Sequence, residues 1–228
     1  MKYKLLSATL LLSSMAAYAA PPAFNASYTV SKSGVTLGNM NAALSYNGNS
    51  YSYQKLSKAN GLAAMLSGDT LTERSSGIKQ GETLTSQHYF QQHKNKRKNR
   101  TEDFSINAGH VSGNFDGRAY QFSVPANTLD PALMELRLMN DLAAGKSLSY
   151  KVVDKGELRS YQFRKLGKEA VNTALGNYTC EKVQVSRNNG ERQTTLWLAP
   201  ELNYTIVKVV HNEEGSLIQM QLNSYKPR

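Results

Sequence analysis

Beyond the first twenty residues, apolar and polar positions alternate in short runs broken by turn residues, which is the pattern of antiparallel strands. Runs at 23–31, 35–46 and 50–56 are separated by Ser31-Lys32-Ser33-Gly34 and by Asn47-Gly48. Asn-Gly favours a two-residue hairpin because both residues tolerate positive φ, so the opening predicts a three-stranded meander. Asp116-Gly117 predicts another hairpin. The clearest alternation spans 216–224, with Ile218, Met220 and Leu222 on one face and Gln219, Gln221 and Asn223 on the other. One face of the sheet should therefore meet water.

Two segments depart from this period. Around 129–145 the spacing predicts a helix over 131–144: Asp130 is placed to cap it, Pro131 suits its first position, Leu129 and Met134 are spaced as a staple, and Gly145 closes it. Ala132, Leu136, Leu138, Met139, Leu142 and Ala143 share one face, with Arg137, Asn140 and Asp141 opposite. Glu135 falls within the apolar arc, so it either reaches water near the helix start or is buried against a basic partner. The second segment, 58–68, is bounded by glycines and exposes Leu62, Met65 and Leu66 unless something covers them. It reads as a loop or single helical turn that forms either a core plug or the lip of a cavity.

The fold expected is mainly β: a strongly curved antiparallel sheet or incomplete β-barrel of about eleven strands, with helix 131–144 as plug or lid. Large antiparallel sheets curl, and an inserted helix can fill the concave side. No linker or internal repeat divides the chain, so residues 20–228 are expected to form one β-rich domain.

The N-terminus changes the picture of where this domain works. Met1-Lys2-Tyr3-Lys4, an apolar run from Leu5 to Leu12, and Ala17-Tyr18-Ala19 read as a secretory signal peptide, 1–19, cut after Ala19. No cysteine stands beside the cut to take a lipid anchor, and no later run is long enough to span a bilayer as a helix, so a soluble periplasmic protein is expected. Removing Lys2 and Lys4 lowers the formal charge from +10 to 10 − 2 = +8. Cys180 is the only cysteine, so no intrachain disulfide is available, and it is expected to be a buried apolar residue.

Candidate chemistry is sparse. His88, His93, His110 and His211 are scattered, and no metal-ligand spacing, nucleophile elbow or phosphate loop is present. A non-enzyme without a cofactor or metal is expected; an enzyme acting on an envelope component would need an acid–base pair such as Glu135 with a histidine. The densest charge, Lys94, Lys96, Arg97, Lys98 and Arg100, suits anionic groups such as lipid headgroups, or is simply a solvated hairpin. It lacks the interleaved aromatics that stack nucleic-acid bases, and nucleic acid is not an expected partner.

Several stretches together resemble a known family. Gly61-Leu62-Ala63-Ala64, Arg74-Ser75-Ser76, the basic strand around 96–100, Thr128-Leu129-Asp130-Pro131, Leu175-Gly176-Asn177-Tyr178 and Thr195-Leu196-Trp197-Leu198-Ala199 stand in the order seen in exported bacterial proteins grouped as domain of unknown function 3108. Ala132-Leu133 departs from the serine that usually follows Asp-Pro there. The resemblance implies an envelope protein of Gram-negative bacteria, without catalytic residues to carry over. It also implies a shape similar to the periplasmic lipoprotein carriers of the LolA/LolB kind, an open barrel around an apolar cavity. A ligand cavity or lid is then expected from Leu62, Met65, Leu66, Glu135, Leu136, Met139, Leu142 and Trp197, with a lipid or other acyl ligand inside. An anionic membrane surface is a second candidate partner. An envelope protein docking onto a packed, cavity-free domain is the alternative.

Overall fold

The computed structural model of the protein describes residues 20–187 and 191–228; the expected signal peptide, 1–19, lies outside them. Strands β1 (Phe24–Lys32), β2 (Val35–Asn47), β3 (Ser50–Ala59), β4 (Thr70–Gln80), β5 (Thr83–Lys94), β6 (Asn99–Asn107), β7 (His110–Phe115) and β8 (Arg118–Ser123) form an antiparallel meander. A six-residue helix, α1 (Gly61–Leu66), interrupts it between β3 and β4. After helix α2 (Pro131–Ala143), the chain continues as β9 (Ser149–Asp154), β10 (Glu157–Thr173), β11 (Gly176–Arg187), β12 (Arg192–Ala199), β13 (Thr205–Glu213) and β14 (Ser216–Pro227). Strand β14 then pairs with β1, which joins the two halves into one sheet whose edges are β8 and β9.

The sheet has fourteen strands, not eleven. Two-residue turns at Ala108-Gly109 and Lys155-Gly156, with both residues at positive φ, divide short runs into separate strands. Helix α2 ends at Ala143, one residue earlier than its periodicity predicts.

The sheet is curved but not closed by backbone pairing. Bulges at Ser27/Tyr28, Ser76/Gly77, Lys165/Gly167 and Trp197/Leu198 bend its strands. Two glycines permit the tight approach of neighbouring strands: a Cβ at Gly38 would overlap the Lys58 carbonyl oxygen, and one at Gly77 the Thr85 carbonyl oxygen. Helix α2, the crossover between the two edge strands, is held within the curve against β4, β5 and β9. Leu129 extends β9 by a parallel bridge to Val152, and its N–H and carbonyl bond to Lys151 and Val153 at 2.9 and 3.0 Å. Across the gap, the buried Glu102 carboxylate on β6 accepts from the Gly156 N–H at 3.0 Å.

Asp130 fixes the start of α2. One carboxylate oxygen accepts from the Leu133 N–H at 2.7 Å, and the other from the Ser75 and Ser86 hydroxyls at 2.6 and 2.5 Å. Burial pushes its pKa up to about 6, and these hydrogen bonds only partly counter it. The folded state thus holds the Asp130 proton more tightly than the unfolded chain. Its contribution to stability is present below about pH 4 and is lost as pH rises through about 6, a loss of up to about 3 kcal/mol. Asp130→Asn keeps an acceptor for the cap and removes the titration. Urea melts at pH 4 and pH 7 should show a smaller decline in this variant than in the parent; equal declines would remove Asp130 as a source of the pH dependence.

Candidate functional site

The concave side of the sheet is only partly filled by α2. Between the helix and the end of the barrel that carries α1 lies a cavity of about 230 Å³. Met40, Leu138, Phe163, Leu196, Ile206 and Met220 give it apolar walls. Next to it, under α1, a hollow of about 350 Å³ is lined by Val30, Leu37, Ala63 and Leu66 and shares Ser57 and Leu71 with the cavity. The shared residues make the hollow its natural continuation towards solvent. The cavity alone is smaller than the roughly 300–1,000 Å³ usual for a site that encloses a whole small molecule. It fits a chain or a ring, not a bulky headgroup.

One wall is charged. Lys55 on β3 stands opposite Glu73 on β4 in the strand register, and α2 brings Glu135 to the same ammonium. Lys55 Nζ lies 2.6 Å from each carboxylate. Tyr89 donates its hydroxyl to Glu73 at 2.7 Å and Tyr53 donates to Glu135 at 3.3 Å. Burial works against the Lys55 charge, but Glu135 and Glu73 outweigh it and hold the ammonium above its usual range. For Glu135, burial wins over Lys55, and Glu73 adds repulsion, so its pKa is raised. At the outer part of the cavity, Arg187 donates to the Tyr161 hydroxyl at 2.7 Å, and Tyr161 donates to Asp154 at 2.6 Å.

Of the two settings open to Glu135, the structure has the one with a basic partner: its side chain faces the cavity, 28% exposed, beside Lys55. The other cavity residues expected from the sequence are placed differently. Leu136, Met139 and Leu142 do not line the cavity but are packed in the core, because they point from α2 into the surrounding side chains on its filled side. Trp197 is on the outer face of β12, between its cross-strand neighbours Lys182 and Lys208, whose ammonium groups lie 5.0 and 4.7 Å from its ring. Leu62 and Met65 are exposed on α1, and Leu66 reaches the hollow below it. Segment 61–66 is accordingly a lip and not a core plug.

The basic run forms the turn between β5 and β6, drawn tight by the Asn95 side chain, which accepts from the Arg97 and Lys98 N–H groups at 2.9 Å each. Arg100 is taken up by Asp116, 2.5 Å away, and by the Phe115 ring. Lys94, Lys96, Arg97 and Lys98 lie outside the cavity wall. The four histidines do not converge. His88 contacts Asp103, His93 contacts Asp69, His110 contacts Ser123 and His211 contacts Thr194, each in a different place. No group of three or more potential metal ligands occurs among the described residues, and no helix among them is long and apolar enough to cross a membrane. Cys180 is buried.

Lys55, Glu73, Tyr53 and Arg187 were not marked by sequence reasoning. A signal for Lys55 does exist in Tyr51-Ser52-Tyr53-Gln54-Lys55, where alternation puts the lysine on the same face as two tyrosines. A charge on an aromatic, inward face implies a buried partner.

Residues 24–222 match the family described as a protein of unknown function, DUF3108. The chain belongs to the DUF3108 family. No curated protein matches it. Among solved structures it is similar to a β-barrel-like protein of the DUF1849 family from Brucella abortus, with a TM-score of 0.60 at 11% identity, over 91% of this chain and 98% of that one. That likeness shows the fold. Weaker likenesses are to an exported-type protein with a YmcC-like fold from Bacteroides fragilis (TM-score 0.35, 12% identity, 91% of this chain and 97% of that one) and to LprF from Mycobacterium bovis (TM-score 0.30, 13% identity, 92% and 87%). Two of the stretches that carry the DUF3108 resemblance meet in space: Ser75 donates to Asp130 where α2 enters the sheet. They serve the junction of helix and sheet, two residues along β4 from Glu73 of the Lys55 cluster.

Proposed function

We propose that this DUF3108 protein is a periplasmic, non-catalytic binder or carrier that holds an acyl chain, or a similar apolar ligand, in the cavity above α2. The observation that carries this reading is the cavity itself: a space inside a curved sheet, walled by methionine, leucine, isoleucine and phenylalanine side chains and continued by the apolar hollow under α1. Burying an acyl chain there supplies about 0.8 kcal/mol per methylene, so a chain of moderate length binds usefully without a specific headgroup contact. The signal-peptide reading of 1–19 supports the compartment. The partners of Glu135 are Lys55 and Tyr53 and not a histidine.

The test is a titration of the purified mature protein with a fluorescent fatty acid, together with native mass spectrometry before and after denaturation. Saturable binding is expected, with a mass excess that disappears on denaturation. Met220→Trp, which places an indole in the cavity, should weaken binding at least about tenfold while the melting temperature stays near that of the parent. Absence of saturable binding by the parent would overturn the proposal, as would unimpaired binding by a folded Met220→Trp variant.

A further inference from the structure

The antiparallel order of the sheet gathers one kind of residue at one end of the barrel. Helix α1 buries none of its six residues, and Leu62, Met65 and Leu66 are 70%, 72% and 72% exposed. The same end carries Val35 after the β1–β2 turn, Leu158 after the β9–β10 turn, and Leu217 with Ile218 after the β13–β14 turn. Of the exposed large apolar side chains among the described residues, only Leu166 and Leu175 lie away from it. An exposed apolar set this concentrated marks a contact surface.

The β5–β6 turn adds charge to the same surface. The Lys96 N–H donates to the Ser67 carbonyl at 3.1 Å, and Lys96 Nζ donates to the Met65 carbonyl, so the basic turn is bonded to the C-terminal end of α1. Lys94, Arg97 and Lys98 have no acidic partner among the described residues, whereas Asp69, Asp116 and Glu213 at this end are engaged by His93, Arg100 and Arg192. Glu191 and Glu214, in the β11–β12 and β13–β14 turns of the same end, are exposed without an ion-pair partner among the described residues, but they stand on other strands of the rim, and the charge left unpaired beside α1 itself is positive.

We infer that this end of the barrel docks onto an anionic lipid bilayer, with Leu62, Met65 and Leu66 entering the interface and Lys94, Arg97 and Lys98 meeting the headgroups. Charge complementarity selects the partner. Apolar side chains on separate turns around a rim, with cations beside them, match a plane that offers hydrocarbon and negative charge together, and peripheral binding takes both signals. The hollow under α1 opens at this face, which places the cavity entrance against the membrane. The docking surface stands independently of whether the cavity is filled.

Vesicle flotation tests it. The mature protein should float with phosphatidylcholine vesicles containing phosphatidylglycerol, far less with phosphatidylcholine alone, and salt should release it. The Leu62→Ser/Met65→Ser/Leu66→Ser variant removes no buried contact, so its melting temperature should be unchanged while flotation is lost. Arg97→Glu with Lys98→Glu should weaken partitioning at least about tenfold, since each cation near an anionic surface is worth roughly fivefold. Met220→Trp should float like the parent even if it binds no fatty acid, which separates this surface from the cavity. The inference is overturned if the parent does not float with the anionic vesicles, if the serine variant floats as well as the parent, or if charge reversal leaves partitioning unchanged.

Discussion

Lys55→Met should be the most damaging single substitution in the cavity wall, with an expected loss of about 3–5 kcal/mol at neutral pH. The methionine restores most of the volume, so lost packing is a small part of the effect. What remains is two carboxylates, Glu73 and Glu135, that had shared one ammonium at 2.6 Å on either side. Tyr89 and Tyr53 still donate to them, but two neutral donors do not offset a second buried negative charge. One carboxylate must then take up a proton, move towards solvent, or destabilise the fold.

The pH dependence distinguishes this account from simple misfolding. Without Lys55, Glu135 loses the ammonium that favours its charged form, so its folded-state pKa, already raised by burial in the parent, rises further. Stability contributed by the bound proton is present at low pH and lost as pH rises through that raised value. The gap between Lys55→Met and the parent should therefore be wider at pH 8 than at pH 5 in urea melts. Adding Glu135→Gln should recover much of the loss, because it removes one of the two charges. A gap that does not change with pH, or a double variant no better than the single one, would mean that the cluster is not held by charge balance.

The same cluster shows how far the sequence could be read. Helix α2 was legible because its two ends are written in local chemistry: the Asp130 side chain does accept from Leu133, and Gly145 does take positive φ just past the helix. The curved sheet was legible as a class from its alternation and its turns. Lys55 facing Glu73 was not, since their pairing depends on a β3–β4 register spanning α1, which no local signal sets. For Glu135 both settings were open, and only the position of Lys55 decides between them. Trp197 shows a different loss of information. Alternation along β12 does set Trp197 opposite Leu196 and Leu198, but a large aromatic inside an apolar run reads as an interior residue; here it is buried on the outer face, with the Lys182 and Lys208 side chains over its ring. Leucines that fill a core and leucines that wall a cavity have the same chemistry, so the division of α2 between these tasks was beyond the pattern.

That division of α2 gives the second large effect. Leu136→Ala should destabilise the protein by about 3–5 kcal/mol, because Leu136 is fully buried and the sheet around α2 cannot collapse onto the space left behind. Leu138, two residues along, is equally hidden from solvent but lies on the cavity wall. Its truncation enlarges a space that already exists, so Leu138→Ala should cost less stability and change the affinity or chain-length preference for a fatty acid. Leu136→Ala should leave that preference alone, provided binding is measured well below its melting temperature. Denaturant melts and fatty-acid titrations on the two variants separate the roles of the two faces. If Leu136→Ala were nearly neutral in stability, α2 would be a loose cover resting on the sheet; if Leu138→Ala left ligand preference unchanged, the helix would contribute nothing to the wall of an acyl site.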